Sequence, residues 1–417
     1  MVVEKTDVLI IGAGIAGLTA AKVLKAAGKT IKILEGSDSV GGRVKTDEID
    51  GFRLDHGFQV LLTAYPEARH FLDYNALDLR KFNPGALILT EKGISQVGDP
   101  LRQFSTLFTT LLSPAGTLAD KFKMLSLKLK LSKKSVDHIF GAPETTTLAY
   151  LKNVGFSEAM ISRFFRPFLT GIFLENELKT SSRMFEFVFK MFSEGDTVIP
   201  AKGMGMIPAQ LAQGLDSEEL LLNEKVTAIN QTGGLTAKGN YYQADHILLT
   251  SNDPGIILPH TFHNLPPKSV VSMYFAAERP PFSKPLIALN TLKNKLVNNV
   301  AVMDQVSPDY APEGRSLISV SLIGDHEKNA SPDIIPKVID ELKFWYPEAV
   351  SWNHLKTYVI PYALPNDEQV TNDIGPAAIK INAHCFICGD HLLNGSINGA
   401  MKSGRLAAEA IIKDSLR

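Results

Sequence analysis

Three glycines and one acidic residue near the amino terminus have the spacing of a dinucleotide-binding site. Gly12, Gly14 and Gly17 follow a short apolar run, and Glu35 comes after a second apolar segment. The first glycine permits a tight turn, the second lets the backbone approach a pyrophosphate, and the third lets a helix pack closely on a strand. An acid at this distance can accept hydrogen bonds from ribose hydroxyls. The pattern therefore predicts that the chain binds a dinucleotide.

The elements that must position these residues can be recognised around them. Residues 7–11 are typical of a β-strand, residues 18–27 of an amphipathic helix ended by Gly28, and residues 30–34 of a second strand. The N-terminus of such a helix offers free N–H groups and the positive end of its dipole to phosphates. We therefore expect a βαβ unit, with Ala16 in the phosphate-binding turn.

Two further stretches follow the acid. Residues 41–46 read Gly-Gly-Arg-Val-Lys-Thr, and residues 51–60 read Gly-Phe-Arg-Leu-Asp-His-Gly-Phe-Gln-Val. They resemble the FAD-dependent superfamily of amine oxidases, protoporphyrinogen oxidases and carotenoid (phytoene) desaturases. The resemblance implies that the dinucleotide is FAD, with Gly42 close to it and Arg43 as a cation beside its pyrophosphate. It also places three more residues near the cofactor: Gly57, Phe58 and Gln59.

A strand followed by a helix near the carboxyl terminus carries a second motif. The strand should end at Gly389 and Asp390, and the helix should begin near Ile397 and Asn398. In the resembling flavoproteins this aspartate touches the ribityl–phosphate region, and the helix N-terminus points at the flavin N1/C2=O edge. A helix dipole placed there stabilises the anion of the reduced flavin.

The return of the chain to the flavin domain also resembles this superfamily. Residues 199–205 precede a helix as in relatives, with Lys202 where a glycine is usual, and the resemblance places Val226 against the adenine. Residues 251–254, Ser-Asn-Asp-Pro, are more similar to carotenoid desaturases than to amine oxidases. Amine oxidases commonly place a lysine shortly after this point, and this chain has none before Lys268, which weakens an amine oxidase interpretation.

The middle of the chain is predicted to be helical from about Leu101 to Phe192, with breaks near Pro114 and at residues 141–143, and it is rich in aromatic residues. Residues 163–173 resemble the Arg-Pro-Phe segment of the family's helical substrate domain, and residues 184–192 continue the aromatic run. Such a run is apolar nearly all round, so part of it must face something apolar. A hydrophobic core and an apolar substrate tunnel both remain open.

A lysine-rich stretch at 118–134 carries an apolar stripe with helical spacing, formed by Leu118, Phe122, Leu125 and Leu129. A stripe packed on its own domain is the favoured interpretation. Peripheral contact with a membrane surface is the alternative, which a lipid-soluble substrate would favour.

Length, charge and cysteine content limit what can be expected for the number of domains, the partners and the redox chemistry of the protein. A chain of 417 residues exceeds one ordinary core, so two domains are expected. A formal net charge of −1 gives no indication of a nucleic-acid partner. Cys385 and Cys388 lie in a strand-like segment and should face opposite sides, which argues against a redox pair. With no metal site, secretory signal or membrane span recognised, a cytoplasmic location is expected.

The fold predicted from these features is α/β, with a Rossmann-like FAD-binding domain and an α+β substrate domain in a p-hydroxybenzoate-hydroxylase-like architecture. The discontinuous FAD domain is assigned to residues 1–85, 196–256 and 366–417, and the substrate domain to residues 86–195 and 257–365.

The predicted activity is an FAD-dependent oxidoreductase that removes a hydride from a hydrophobic small molecule. Desaturation of an isoprenoid or carotenoid-like substrate is favoured, and amine or protoporphyrinogen-type oxidation is the alternative. Gln59 and Tyr362 are the candidates for catalytic side chains. A flavin-free prenyl- and protein-binding module, like the GDP-dissociation inhibitors, is disfavoured because Glu35, Arg43 and Asp390 are all present. The electron acceptor stays open.

Overall fold

The computed structural model describes residues 5–98, 116–230, 232–250, 266–324 and 331–416. The beginning of the expected helical region near residue 101, the Ser-Asn-Asp-Pro stretch and the lysine-free stretch that follows it lie outside the described residues.

The described residues form nineteen strands and twelve α-helices. In chain order the strands are β1 (Thr6–Ile11), β2 (Ile31–Leu34), β3 (Thr46–Ile49), β4 (Phe52–Asp55), β5 (Leu61–Leu62), β6 (Leu79–Lys81), β7 (Gly85–Thr90), β8 (Gly93–Gly98), β9 (Thr197–Pro200), β10 (Leu220–Leu221), β11 (Val226–Ile229), β12 (Gly233–Thr236), β13 (Tyr241–Leu249), β14 (Lys268–Ala277), β15 (Ile287–Asn290), β16 (Val297–Val302), β17 (Ser316–Ile323), β18 (Asn353–Leu364) and β19 (Cys385–Ile387). The helices are α1 (Ile15–Ala26), α2 (Pro66–Phe71), α3 (Leu118–Ser132), α4 (Val136–Phe140), α5 (Thr147–Val154), α6 (Glu158–Met160), α7 (Arg166–Phe173), α8 (Ser182–Glu194), α9 (Met206–Leu211), α10 (Ile334–Leu342), α11 (Pro376–Ile379) and α12 (Ile397–Asp414).

A parallel sheet carries the amino-terminal motif. Its strands lie in the order β10, β2, β1, β13, β19, and each neighbouring pair is parallel. The strands are apolar on both faces, as parallel sheets are: in β1, Val8 and Ile10 pack into one hydrophobic cluster, and Leu9 and Ile11 into another. The predicted βαβ unit of β1, α1 and β2 is therefore confirmed.

A second sheet, largely antiparallel, follows the order β18, β14, β17, β16, β15, β7, β8. The side chains along each strand alternate between two environments, since successive residues point to opposite faces of the sheet. Val271, Met273 and Phe275 pack with α10 and the segment after it, whereas Val270 of the same strand lines a cavity on the opposite face. Because β15 and β7 are parallel, this second sheet is mixed, and the α/β fold with a mixed second sheet agrees with the prediction.

The helical region is more interrupted than the sequence suggested. Between residues 116 and 194 six α-helices replace the few expected segments. Five of them begin at a serine or threonine whose side chain accepts a backbone N–H, which explains the extra breaks; these caps are Thr117, Ser135, Thr146, Ser157 and Ser181.

The expected packing of the apolar stripe on α3 is wrong. Leu118, Phe122 and Leu129 are mostly exposed, and the buried apolar side of the helix is formed by Leu127 and Leu131. The stripe has helical spacing, but the neighbouring helices cover a different side of α3. Contact of the exposed side with a membrane stays a prediction.

Two smaller expectations have different outcomes. The sequence predicts a hairpin that turns at Gly233 and Gly234, and this prediction is wrong, because both glycines lie in β12 and pair with β13. Cys385 and Cys388 are buried in different hydrophobic clusters, as expected if they face opposite sides.

The parallel sheet takes its strands only from the three segments assigned to the FAD domain, but the domain division itself stays a prediction. No helix in the described parts of the chain has the length and apolar character needed to span a bilayer.

Candidate cofactor and substrate site

A cavity of about 1700 Å³ begins at the carboxyl ends of the parallel strands. Ile11 in β1, Leu34 in β2, Thr250 after β13 and Gly389 after β19 all line it. Open α/β sheets bind their ligands at this edge, where the strand order reverses. The volume exceeds the roughly 300–1,000 Å³ of an ordinary small-molecule pocket, so it has room for a cofactor and a second molecule.

The glycine turn after β1 has the geometry that its spacing predicts. Gly12 has φ of 106°, a conformation that side chains disfavour. A Cβ on Gly17 would overlap the carbonyl oxygen of Gly12, so only glycine lets α1 pack this closely. A Cβ on Gly14 would meet nothing within 4 Å and would project into the open cavity. This open space beside the N-terminus of α1 fits the pyrophosphate of a dinucleotide.

Glu35 lies at the cavity with its carboxylate already held in place. One oxygen accepts the backbone N–H of Ala13 at 2.7 Å, and the other accepts the N–H and hydroxyl of Ser37 at 2.9 and 2.8 Å. These bonds orient the carboxylate beside the glycine turn. Val226 lines the same cavity, as the predicted adenine contact requires.

The two terminal motifs meet through an ion pair. Arg43 Nη2 lies 2.6 Å from Asp390 Oδ1, and Arg43 Nη1 donates to the carbonyl oxygen of Ala363 at 3.0 Å. The guanidinium also lies 5.1 Å from the ring centre of Tyr362. Arg43, which is predicted to lie beside the pyrophosphate, is thus paired with Asp390, which is predicted to touch the same cofactor.

The carboxyl-terminal helix directs its N-terminus into the cavity. Ser396 caps α12 by accepting the N–H of Gly399, and both Ser396 and Ile397 line the cavity. The N-termini of α1 and α12 therefore face one space, and each presents the positive end of its dipole there. This arrangement suits a ligand with two regions of negative charge, as FAD has when reduced.

Gln59 is held against the backbone of the Arg43 segment. Its Nε2 donates to the carbonyl oxygens of Arg43 at 2.9 Å and His56 at 3.0 Å. Phe58 packs edge-on against Phe82 with ring centres 6.0 Å apart. Gln59 therefore braces the turn that carries Arg43, and its role as a catalytic group stays a prediction.

Among the residues predicted from the sequence, all but two line this cavity. Those that line it are Gly12, Gly14, Ala16, Glu35, Gly42, Arg43, Gly57, Phe58, Gln59, Val226, Tyr362, Gly389, Asp390 and Ile397. Gly17 lies behind the turn, where its role is close packing. The side chain of Asn398 accepts the N–H of Glu67 at 3.0 Å, so it holds α2 in place.

The aromatic run divides between core and cavity wall. Phe187 is fully buried in the core. Phe164 and Phe168 stack at 5.7 Å, Phe168 contacts Phe192 at 5.4 Å, and all three line the cavity. A π-helical turn at Ile161–Phe165 joins α6 to α7 at this wall. Part of the run therefore forms a hydrophobic core and part lines the cavity, and the use of this cavity as a substrate tunnel stays a prediction.

A polar patch in the cavity wall formed by the second sheet was not predicted from the sequence. Asn299 in β16 and Ser321 in β17 are almost fully buried, line the cavity and lie directly opposite each other in the sheet. Serines that alternate with apolar residues in β17 were a signal for a polar surface. The pairing of Ser321 with an asparagine depends on strand register, which the sequence does not reveal.

Asp367 is a buried carboxylate beside this site. It accepts the backbone N–H of Gly395 at 2.8 Å, next to the N-terminus of α12. Burial, together with the nearby Asp390 carboxylate, raises the pKa of Asp367 to about 7. Because the folded pKa lies above the unfolded value, the folded state binds the proton more tightly. The contribution of Asp367 to the free energy of unfolding therefore falls as pH rises from about 4 to about 7.

We expect Asp367→Asn to raise the melting temperature of the apoprotein by a few degrees at pH 8, because an uncharged acceptor replaces a buried anion. The gain should shrink at pH 5, where the wild-type carboxyl group is already protonated in the folded state. Melting curves of both proteins across this range give the comparison. An equal gain at both pH values would contradict the assigned pKa.

The described residues contain no cluster of three or more histidine, cysteine, aspartate or glutamate side chains suited to a metal ion.

Short stretches of the chain are similar to curated flavoproteins. Putrescine oxidase from Kocuria rosea is 51% identical over 53 residues, which cover 13% of this chain and 11% of that protein. Carotenoid 3,4-desaturase from Haloarcula japonica is 47% identical over 51 residues, which cover 12% of this chain and 10% of that protein. The chain thus matches only about a tenth of the length of these relatives.

Similarity in fold extends over the whole chain. An oxidoreductase from Methanosarcina mazei superposes with a TM-score of 0.72 at 19% identity, covering 97% of this chain and all of that one. The family model described as "Flavin containing amine oxidoreductase" matches residues 15–412. The chain therefore belongs to the flavin containing amine oxidoreductase family, and the predicted cofactor, FAD, is confirmed.

Proposed function

We propose that the protein is an FAD-dependent oxidoreductase that removes a hydride from a hydrophobic small molecule, with desaturation of an isoprenoid or carotenoid-like substrate as the favoured reaction. One observation carries the proposal. A single cavity joins the glycine turn of Gly12 and Gly14 to the aromatic wall of Phe164, Phe168 and Phe192. A cofactor and an apolar substrate would therefore share one enclosed space.

When bound, FAD supplies the acceptor for a hydride, so the protein needs few catalytic side chains. The residues of this chain bind, orient and exclude water. Gly14 and the N-terminus of α1 would hold the pyrophosphate, Arg43 and Asp390 the adjoining region, and the N-terminus of α12 the isoalloxazine edge that gains negative charge. The aromatic wall keeps water from the substrate, which strengthens these electrostatic contacts.

The charges at the cavity favour a neutral substrate over an amine. Three acidic side chains line it among the described residues, and each has a partner. Glu35 accepts hydrogen bonds from Ala13 and Ser37, Asp390 pairs with Arg43, and Asp196 lies 2.6 Å from Lys81 Nζ. An ammonium group would have to share a carboxylate that these partners already hold. Amine or protoporphyrinogen-type oxidation is the alternative, and similarity to putrescine oxidase supports it.

The visible spectrum of the purified protein tests the proposal first. We expect a two-band flavin spectrum that dithionite bleaches, and that an isoprenoid polyene bleaches under anaerobic conditions. The same preparation is mixed with a panel of amines and with a porphyrinogen. Amine-dependent bleaching with peroxide formation in air would contradict desaturation, and a colourless protein that does not bind added FAD would contradict the oxidoreductase assignment.

A further inference from the structure

A chain of hydrogen bonds runs through the second sheet to the cavity. Lys295 Nζ donates to Asn298 Oδ1 at 2.8 Å, Asn298 Nδ2 donates to Asn299 Oδ1 at 3.1 Å, and Asn299 Nδ2 donates to Ser321 Oγ at 3.3 Å. Every link donates in the same direction. Because the Ser321 oxygen is used as an acceptor, its own O–H is the remaining donor of the chain.

Ser321 ends this chain at the cavity surface. It is 3% exposed and lines the cavity, and no acceptor for its hydroxyl proton lies among the described residues. A buried hydroxyl that lacks an acceptor is unfavourable, whereas a ligand oxygen in the cavity would satisfy it. Nearby lining residues, such as Val270 and Ile323, are apolar, so Asn299 and Ser321 form a local polar patch in an apolar wall.

The asparagines of this hydrogen-bonded chain are packed tightly, so they hold the Ser321 side chain in place. Asn298 and Asn299 are each 1% exposed. Helix α7 lies over them at Gly171, where a Cβ would lie 3.1 Å from Asn298 Nδ2 and 3.4 Å from Asn299 Oδ1. A larger residue would push the helix away from the asparagines, so the glycine permits the close contact.

The end of this hydrogen-bonded chain away from Ser321 is a half-buried cation, Lys295. Burial lowers the pKa of Lys295 to about 8, and the Glu341 carboxylate opposes this shift, so the ammonium is charged at neutral pH. Charge at one end of a hydrogen-bonded chain polarises each following link. The Ser321 hydroxyl is thereby a stronger donor than an isolated serine.

We propose that Ser321 binds an uncharged oxygen of the substrate, such as a carbonyl, ether or hydroxyl oxygen, and that Lys295, Asn298 and Asn299 orient and polarise it. The ligand is then an otherwise apolar molecule that carries at least one oxygen. This assignment rests on the proposed function only in placing the substrate in this cavity.

Binding of a matched pair of probes tests the assignment. The probes are geranylacetone, an isoprenoid ketone, and the hydrocarbon in which a methylene group replaces its carbonyl group. Equilibrium dialysis against the holoprotein measures both dissociation constants without requiring turnover. We expect the wild-type protein to bind the ketone about tenfold more tightly than the hydrocarbon, the ratio that one good hydrogen bond gives.

Two serine variants provide a matched comparison. Ser321→Ala should remove the preference for the ketone and leave hydrocarbon binding unchanged. Ser319→Ala removes a hydroxyl that is equally buried on the same strand but outside the chain, so it should keep the preference. A preference that survives in Ser321→Ala, or that is missing from the wild-type protein, would overturn the assignment.

A third variant tests whether the charge of Lys295, and not only its packing, strengthens the hydrogen bond that Ser321 donates. Lys295→Met keeps most of the length of the side chain but removes its charge, and we expect it to lower the ketone preference to about threefold with the same hydrocarbon affinity. An unchanged ratio would exclude a role for Lys295. If the wild-type protein binds the ketone through Ser321 but no compound reduces its flavin, the oxidoreductase proposal fails while this binding site stands.

Discussion

Gly14→Val should abolish FAD binding while leaving the folded apoprotein intact. The backbone at Gly14 has φ of −73° and ψ of 177°, which any residue adopts, and a Cβ there meets nothing within 4 Å. The protein itself therefore has room for the new side chain. The space that valine would fill is the space that the pyrophosphate needs, so we expect affinity for FAD to fall about 100-fold or more. Flavin content and FAD titration of the apoprotein measure the effect.

Gly375→Val is the control for this prediction. Gly375 also precedes a helix, has φ of −70° and ψ of 161°, and has nothing within 4 Å of a Cβ. Both variants carry the same cost of losing a glycine N-cap, so their melting temperatures without FAD should be similar. Gly375→Val should bind FAD like the wild-type protein. Normal FAD binding by Gly14→Val would show that the cofactor lies elsewhere.

Arg43→Ala should destabilise the apoprotein by about 2 kcal/mol, because it leaves Asp390 as a buried charge without its cation. The Asp390 side chain is 6% exposed, but Arg43 is 38% exposed, so the loss should stay below the roughly 3–5 kcal/mol of a fully buried pair. The variant should also lose FAD, since the same guanidinium faces the cofactor space. Denaturant unfolding of the flavin-free protein isolates the effect on stability.

Arg80→Ala provides a comparison with an ion pair that has the same N–O distance but is exposed to solvent. Arg80 Nη2 lies 2.6 Å from Asp78 Oδ2, the distance found for Arg43 and Asp390, but both side chains are largely exposed. Exposed pairs contribute about 0–1 kcal/mol, so this variant should unfold nearly like the wild-type protein. Equal losses in the two variants would mean that burial of Asp390 does not decide the stability of the pair.

Local features of the site could be predicted because short-range sterics determine them. The tight turn at Gly12, the close packing at Gly17 and the beginning of α12 at Ile397 all depend on a few consecutive residues. Apolar runs likewise marked β1 and β2, since strands buried on both faces have few other compositions. These features were enough to predict a dinucleotide site before any contact was known, and the resemblance of residues 41–46 and 51–60 to FAD-dependent enzymes implied that the dinucleotide is FAD.

Contacts between distant segments could not be predicted in this way. Nothing near Arg43 indicates that its partner is Asp390, because the pair forms only when β19 joins the sheet beside β13. The spacing of Leu118 and Phe122 predicted a buried stripe, yet packing of α8 against α3 covers a different side. A helical period shows that one face is apolar, but the neighbouring elements decide which residues leave the solvent.

The sequence by itself determined the βαβ unit, the dinucleotide class of the cofactor and the aromatic character of residues 163–192, because each depends on consecutive residues with a local physical reason. Only the tertiary structure decided that these parts share one cavity, and that Lys295, Asn298, Asn299 and Ser321 form a directed chain into it. The register between β16 and β17 brings Asn299 opposite Ser321. Strand register depends on the packing of whole sheet faces, so no short stretch of sequence specifies it.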